Sequence, residues 1–288
     1  MQGLDDIIRR KNIFLNADSD YDSAKVVLIG VPMDWTVSYR PGSRFGPQGI
    51  RDVSEGLEEY SPYLKRSLAQ SSFYDAGNLV LPFGNVVESL DLISRVVRRV
   101  VEDGKVPFCL GGEHLISLPA VEEVARKYPD LVVLHFDAHA DVRDTYFGER
   151  LSHATVLRRI KEIGSGVEVY QFGIRSGEAE EFEYGQTVTR MYPIEVLGPL
   201  EEAVPKLSTR PVYVTIDIDV VDPAFAPGTG TPEPGGITAH NLLRAVHIMD
   251  GLNIVGCDLV EVAPAYDQSR STELLAAKLV RELLLVVA

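Results

Sequence analysis

Apolar positions along the chain fall into short, nearly continuous runs. They are KVVLIGV (25–31), SSFYDAG (71–77), VPFCLGG (106–112), LVVLHFD (131–137), VEVYQFGI (167–174), TVTRMY (187–192), PVYVTIDID (211–219) and NIVGCDLVEV (253–262). Most are rich in Val and Ile and lack polar alternation, as strands buried on both faces do. Between them, helical spacing predicts helices over 85–104, 117–128, 152–164, 238–251 and 271–287, the first ending on Gly104. Alternating strand and helix predicts parallel βαβ units with right-handed crossovers, an α/β fold. No linker, low-complexity tract or internal repeat interrupts the pattern, so one domain over 1–288 is expected. Three irregular segments, 32–49, 138–151 and 220–237, each leave a strand at its C-terminal end. Ligand sites of open parallel sheets gather there.

Composition narrows the function more than the fold. A charged fraction of 24% and an apolar fraction of 45% are ordinary for a globular protein with a full core. The net charge of −14 argues against nucleic acid or an anionic membrane and suits cationic ligands or metal ions. No apolar run is long enough for a transmembrane helix. The opening MQGLDDIIRRKN mixes acids and bases without a signal-peptide core, so a cytoplasmic protein is expected. Cys109 and Cys257 lie in apolar runs and read as core residues.

Chemistry concentrates at the strand ends. In HFDAHAD, Asp137, His139 and Asp141 stand two apart after an apolar run. Fully extended, the outer two would be roughly 13 Å apart, so they converge only if the chain turns as it leaves the strand. Alone, the motif fits a polar strand end and a metal site equally. TIDID places Asp217 and Asp219 at the end of another run, and burying two like charges is costly without a cation or a proton. CLGGEH adds His114 after a third run. A phosphate-loop reading fails, because Gly104–Lys105 is followed by Val106 and has no upstream glycine. Two imidazoles and four carboxylates, with no thiolate, suit two divalent cations and favour Mn²⁺ over structural zinc. Two such metals roughly 3.5–4 Å apart can share a water and acidify it.

GGEH, DAHAD, TIDIDVVDPAFAPGTGTPEPGG and DLVEVAPAYD together resemble the ureohydrolases, the arginase and agmatinase family of binuclear manganese enzymes. The resemblance runs from about residue 25 to the C-terminus. It implies a three-layer α/β/α fold with a mainly parallel eight-stranded sheet, and homotrimers or homohexamers. It makes His114, Asp137, His139, Asp141, Asp217 and Asp219 ligands of two Mn²⁺. It gives Asp141 a part in steering the hydroxide, His153 proton transfer and substrate contact, Glu261 the guanidinium and a catalytic part, and Thr231 a place beside the substrate. Glu113 stands where the family usually has Asp.

The implied reaction is hydrolysis of a small cationic guanidino compound to urea and an amine. Arg143 replaces the Asn by which arginases hold a substrate carboxylate, and PAFAPGTGTPEPGG, EVAPAYD and SRFGPQGIR look like the agmatinase branch. Agmatine, giving putrescine, is therefore the expected substrate. Aminopropylagmatine, guanidinobutyrate and arginine are the alternatives within this chemistry. A metal-dependent deacetylase would not need six ligands, and a catalytically silent metal-binding protein would be expected to have lost one. The loop with Trp35, Tyr39 and Arg40 is expected to bear on substrate choice. His135, His240 and His247 match no ligand position.

Overall fold

All eight apolar runs form strands of one sheet, to which a short ninth is added. The computed structural model describes residues 7–287 apart from 11, 18 and 165. Residues 1–6 and 288, the ends of the expected domain and half of the MQGLDDIIRRKN segment, lie outside the described residues. The strands are β1 (Ile8–Arg9), β2 (Val26–Val31), β3 (Tyr60–Ser61), β4 (Arg66–Ser67), β5 (Phe73–Leu79), β6 (Val106–Gly111), β7 (Val132–Phe136), β8 (Glu168–Ile174), β9 (Arg190–Pro193), β10 (Pro211–Asp217) and β11 (Asn253–Val260). The helices are α1 (Gly46–Ser54), α2 (Val86–Glu102), α3 (Ser117–Lys127), α4 (Val156–Glu162), α5 (Ala179–Val188), α6 (Leu197–Leu207), α7 (Ala239–Ile248) and α8 (Ser271–Val287).

The sheet order is β1-β5-β2-β6-β11-β10-β7-β8-β9, with β3 and β4 forming a separate antiparallel pair. Every pairing in the main sheet is parallel except β1 with β5. The expected sheet of eight strands is thus present, with β1 as an antiparallel ninth at its edge. Its two residues are too few to show a period-2 pattern.

Alternate residues of each strand feed two apolar layers, as the period of a strand requires. Val26, Leu28, Leu134 and Val214 pack with Ile50 of α1, Leu200 of α6, Leu242 of α7 and Leu283 of α8. Val27, Ile29, Val133 and Val169 pack with Val97 of α2, Val121 of α3 and Ile160 of α4 on the other face. Helices therefore cover both faces, which is the three-layer α/β/α arrangement. Among the described residues no helix is long and apolar enough to cross a membrane.

Strand order decides where the site falls. β6 and β7 are consecutive in the chain but not neighbours in the sheet. The last two strands, β10 and β11, fill the gap between them. Ile216 pairs with Phe136 and Asp217 with Val260, so Asp137, Asp217 and Glu261 leave the sheet at nearly one level. Residues scattered over 148 positions are gathered by four adjacent strand ends.

Candidate metal centre

Each expected ligand sits just past one of these ends. His114 follows β6 on a short 3₁₀ turn, Asp137 follows β7, and Asp217 closes β10 with Asp219 two residues on. His139 and Asp141 lie on the segment leaving β7, which bends at Ala138, and Asp141 itself adopts a left-handed backbone, φ 54°. That turn folds back a chain that would otherwise run straight. The structure brings all six together. The His114 Nδ1 atom lies 3.0 Å from Asp137 Oδ2, 3.4 Å from Asp141 Oδ2 and 3.4 Å from Asp217 Oδ2. His139 Nδ1 lies 3.0 Å from Asp219 Oδ2 and 3.5 Å from Asp137 Oδ1. Asp137 belongs to both groups, its two oxygens facing different histidines.

Electrostatics make this cluster unstable on its own. Burial, then the neighbouring Asp137, pushes the Asp141 carboxyl well above the ordinary range. Burial, then Asp219, does the same to Asp217. Burial opposes charge on His114, yet the carboxylates of Asp137 and Asp217 raise it well above its usual value. Burial likewise opposes charge on His139, where Asp219 and Asp137 win. Without a cation the pocket must hold protons to offset its carboxylates. His114 Nδ1 is buried and, despite three oxygens nearby, makes no well-angled hydrogen bond among the described residues. A nitrogen lone pair ringed by carboxylate oxygens is a cation's coordination shell, and the all-oxygen-and-imidazole donor set fits hard divalent ions. The residues present therefore fit the metal the sequence implies.

The partners behind the ligands orient them. His114 Nε2 sits 2.9 Å from Thr215 Oγ1, whose hydroxyl donates to Asp258 Oδ1 at 2.6 Å. The second Asp258 oxygen accepts from Tyr213 at 2.7 Å. This chain fixes the ring and points Nδ1 into the cluster. His135, matched to no ligand position from the sequence, is fully buried with Nε2 2.8 Å from Asp137 Oδ2, while Gln171 contacts its Nδ1 at 3.2 Å. Its strand spacing, two before Asp137 on the same face, was the available signal. His247 is far from this chemistry, contacting Glu282 at 2.9 Å, and His240 is exposed on α7.

A cavity of about 280 Å³ opens over the cluster. Of the expected residues, it is lined by His114, His139, Asp141, His153, Asp217, Thr231 and Glu261, whereas Asp137 and Asp219 lie beneath them. Glu261 follows β11 with φ 63°, and its Oε1 accepts the backbone N–H of His114 at 2.9 Å. Burial, then the charge of Glu113, pushes its carboxyl up to about 8. Burial, then the charge of His139, lowers His153 to about 4. Thr231 Oγ1 is 3.4 Å from Asp219 Oδ2. Sequence reasoning missed Tyr146, Ser176, Glu178 and Glu181 in the lining. Arg143 also lines it but is tied down, donating to Glu181 Oε2 at 2.9 Å with Glu178 Oε1 3.6 Å away. Trp35 turns from the cavity, donating to Ser89 at 3.0 Å, and Arg40 stacks between Tyr39 and Tyr266; Ser38 is the lining residue from that loop.

A three-layer fold with a paired His/Asp cluster at the ends of its central strands defines a metallohydrolase-like α/β protein. Residues 24–286 match the arginase family, and the chain belongs to it. The agmatinase of Bacillus anthracis is 54% identical over 276 residues, 95% of each chain. The agmatine ureohydrolase of Thermoplasma volcanium superposes with a TM-score of 0.86 at 34% identity, covering 99% of this chain and 96% of its own. Proclavaminate amidino hydrolase from Streptomyces clavuligerus superposes with a TM-score of 0.87 at 32% identity, covering 97% and 98%.

Proposed function

We propose that this protein is a binuclear manganese ureohydrolase that hydrolyses agmatine to putrescine and urea. The His114 nitrogen facing three carboxylates at the base of a cavity carries the reading. His114, Asp137, His139, Asp141, Asp217 and Asp219 would hold the two Mn²⁺, with Asp137 common to both groups. Bound there, the cations supply an acidified water and Lewis acidity. The protein's own side chains do the rest. Glu261 accepts the planar fork of the guanidinium, which also stabilises its ionised form against burial. Thr231 borders the same group. Asp141 accepts a hydrogen bond from the attacking water and holds its line of attack. His153, neutral near pH 7, takes a proton released by that water and passes it to the departing nitrogen. The C–N bond breaks with its electron pair on that nitrogen, leaving urea and an amine.

The cavity mouth supports the choice of substrate. Arg143 faces two carboxylates, Glu181 and Glu178, so the mouth keeps an excess of negative charge. The primary ammonium of agmatine suits it. Guanidinobutyrate and arginine each bring a carboxylate that would meet those acids, while the cationic aminopropylagmatine is the second substrate the acidic mouth favours. The reading extends to one domain over 1–288, working in the cytoplasm as a homotrimer or homohexamer. Family resemblance supports assembly, as do the exposed Phe45, Phe83 and Phe147, which subunit contact would cover. The test is urea release by Mn²⁺-loaded protein with agmatine, arginine, aminopropylagmatine and guanidinobutyrate side by side. Agmatine should give the highest kcat/KM. Preference for arginine or guanidinobutyrate would refute the argument from the mouth, and absence of bound metal would refute the site itself.

A further inference from the structure

Thr36 stands where three parts of the site meet. Its backbone N–H and its hydroxyl both donate to Glu113 Oε2, at 2.9 Å and 2.6 Å. Glu113 is fully buried, and its own N–H donates to the Met33 carbonyl at 2.7 Å. A Cβ on the preceding Gly112 would lie 1.8 Å from that carbonyl oxygen, so loop and strand end touch backbone to backbone. The loop after β2 is thus fastened to the end of β6.

The same hydroxyl reaches His153. With its proton committed to Glu113, Thr36 Oγ1 is left as an acceptor. It takes the backbone N–H of His153 at 3.1 Å, and His153 Nδ1 lies 3.4 Å from it. Ser152 Oγ lies 3.3 Å from the same nitrogen and, being a hydroxyl, can donate to it. Thr36 can only accept at Nδ1, whereas the Ser152 hydroxyl can turn to serve either tautomer. An acceptor at Nδ1 selects the Nδ1–H form and frees the Nε2 lone pair; a donor at Nδ1 selects the reverse.

We propose that Thr36, fastened by Glu113, is a positioning residue that holds His153 in the Nδ1–H tautomer, with Nε2 free to carry the proton to the leaving amine. This rests on the ureohydrolase reading for its catalytic consequence, though not for the tautomer itself. Proton transfer needs Nε2 as acceptor, so the wrong tautomer is silent even when the ring stays in place. The substrate contacts proposed for Glu261, Thr231 and the acids of the mouth are untouched. The side chain of Glu113 is what reaches the loop.

The test uses Thr36→Val, which keeps the shape and removes the acceptor, with Thr36→Ser as rescue. In Mn²⁺-loaded enzyme, Thr36→Val should lower kcat about 10²-fold with KM within about twofold, and Thr36→Ser should restore most of it. The second readout needs neither metal nor substrate. In metal-free protein with ¹⁵N-labelled imidazoles, only six histidines contribute, and His153→Asn assigns the signal. His153 should show Nδ1–H in the wild type and shift towards Nε2–H in Thr36→Val. An unchanged ¹⁵N pattern with unchanged kcat overturns the proposal. So does an equal loss in Thr36→Ser, or a loss that tracks bound manganese or Tm. A tautomer change in a protein that releases urea from no guanidino compound would uphold the positioning and sink the ureohydrolase reading instead.

Discussion

Metal loading should raise the thermal stability of this protein by an amount set by its crowded carboxylates. Four aspartates and two histidines converge with no lysine or arginine paired to their carboxylates among the described residues, and Asp137 belongs to both groups. Each divalent ion at about 100 times its dissociation constant adds about 2.7 kcal/mol, so two add about 5 kcal/mol. Unfolding entropy of about 2.1 cal/mol/K per residue gives ~0.6 kcal/mol/K for 288 residues. Tm should therefore rise by about 9 °C between EDTA-treated and Mn²⁺-saturated protein, read by calorimetry. Protons compete for the same atoms, because His114 and His139 are raised well above their usual values by facing carboxylates. The rise should shrink as pH falls, and loading should release protons. Asp137→Asn removes charge from both groups and should abolish most of the rise. A Tm indifferent to Mn²⁺, or an Asp137→Asn variant stabilised as much as the wild type, would refute the assignment.

Thr215→Val deletes the partner of His114 Nε2 and should weaken manganese binding about 10–100-fold, measured by chelator competition. Glu261→Gln keeps an acceptor for the His114 N–H but loses the charge opposite the guanidinium; kcat/KM for agmatine should drop by about 2–5 kcal/mol equivalent, with manganese content unchanged. His153 is held to about 4 against 6.5 unfolded, so between pH 6.5 and about 4 the unfolded chain takes its proton in preference to the folded one. That contribution is absent above pH 6.5 and costs stability as pH falls towards 4, by up to about 3 kcal/mol. Metal-free His153→Asn should show a flatter stability–pH curve than wild type across that window by chemical denaturation; parallel curves would count against the buried neutral imidazole.

The strands were legible because burial on both faces leaves an apolar run with no competing period. VVLHF and PVYVTID could hardly be anything else. The ligands were legible because charge at the end of such a run is costly without a purpose. Three helices were not. α1 begins GPQG, α5 is crowded with acids and carries Gly185, and α6 holds Pro205 inside it. Each is held by packing, through Ile50, Phe182 and Leu200, against the Gly or Pro it carries. His135 was passed over because its role lies behind a ligand. Thr36 was invisible because it sits on a loop with no period to read, and Glu178 and Glu181 because they open α5, a helix the spacing did not reveal.

The left-handed backbone at Asp141 and Glu261 bears on how this protein can be engineered. Side chains in that region cost of order 1 kcal/mol or more, and these two also sit among like charges. Replacing either with glycine would relieve both burdens at once. Selection for heat tolerance alone, applied without metal or substrate, would therefore reward the loss of the very carboxylates that give the cavity its chemistry. Directed evolution of this scaffold has to screen for turnover in the same step, because two of its left-handed positions lie in its active centre.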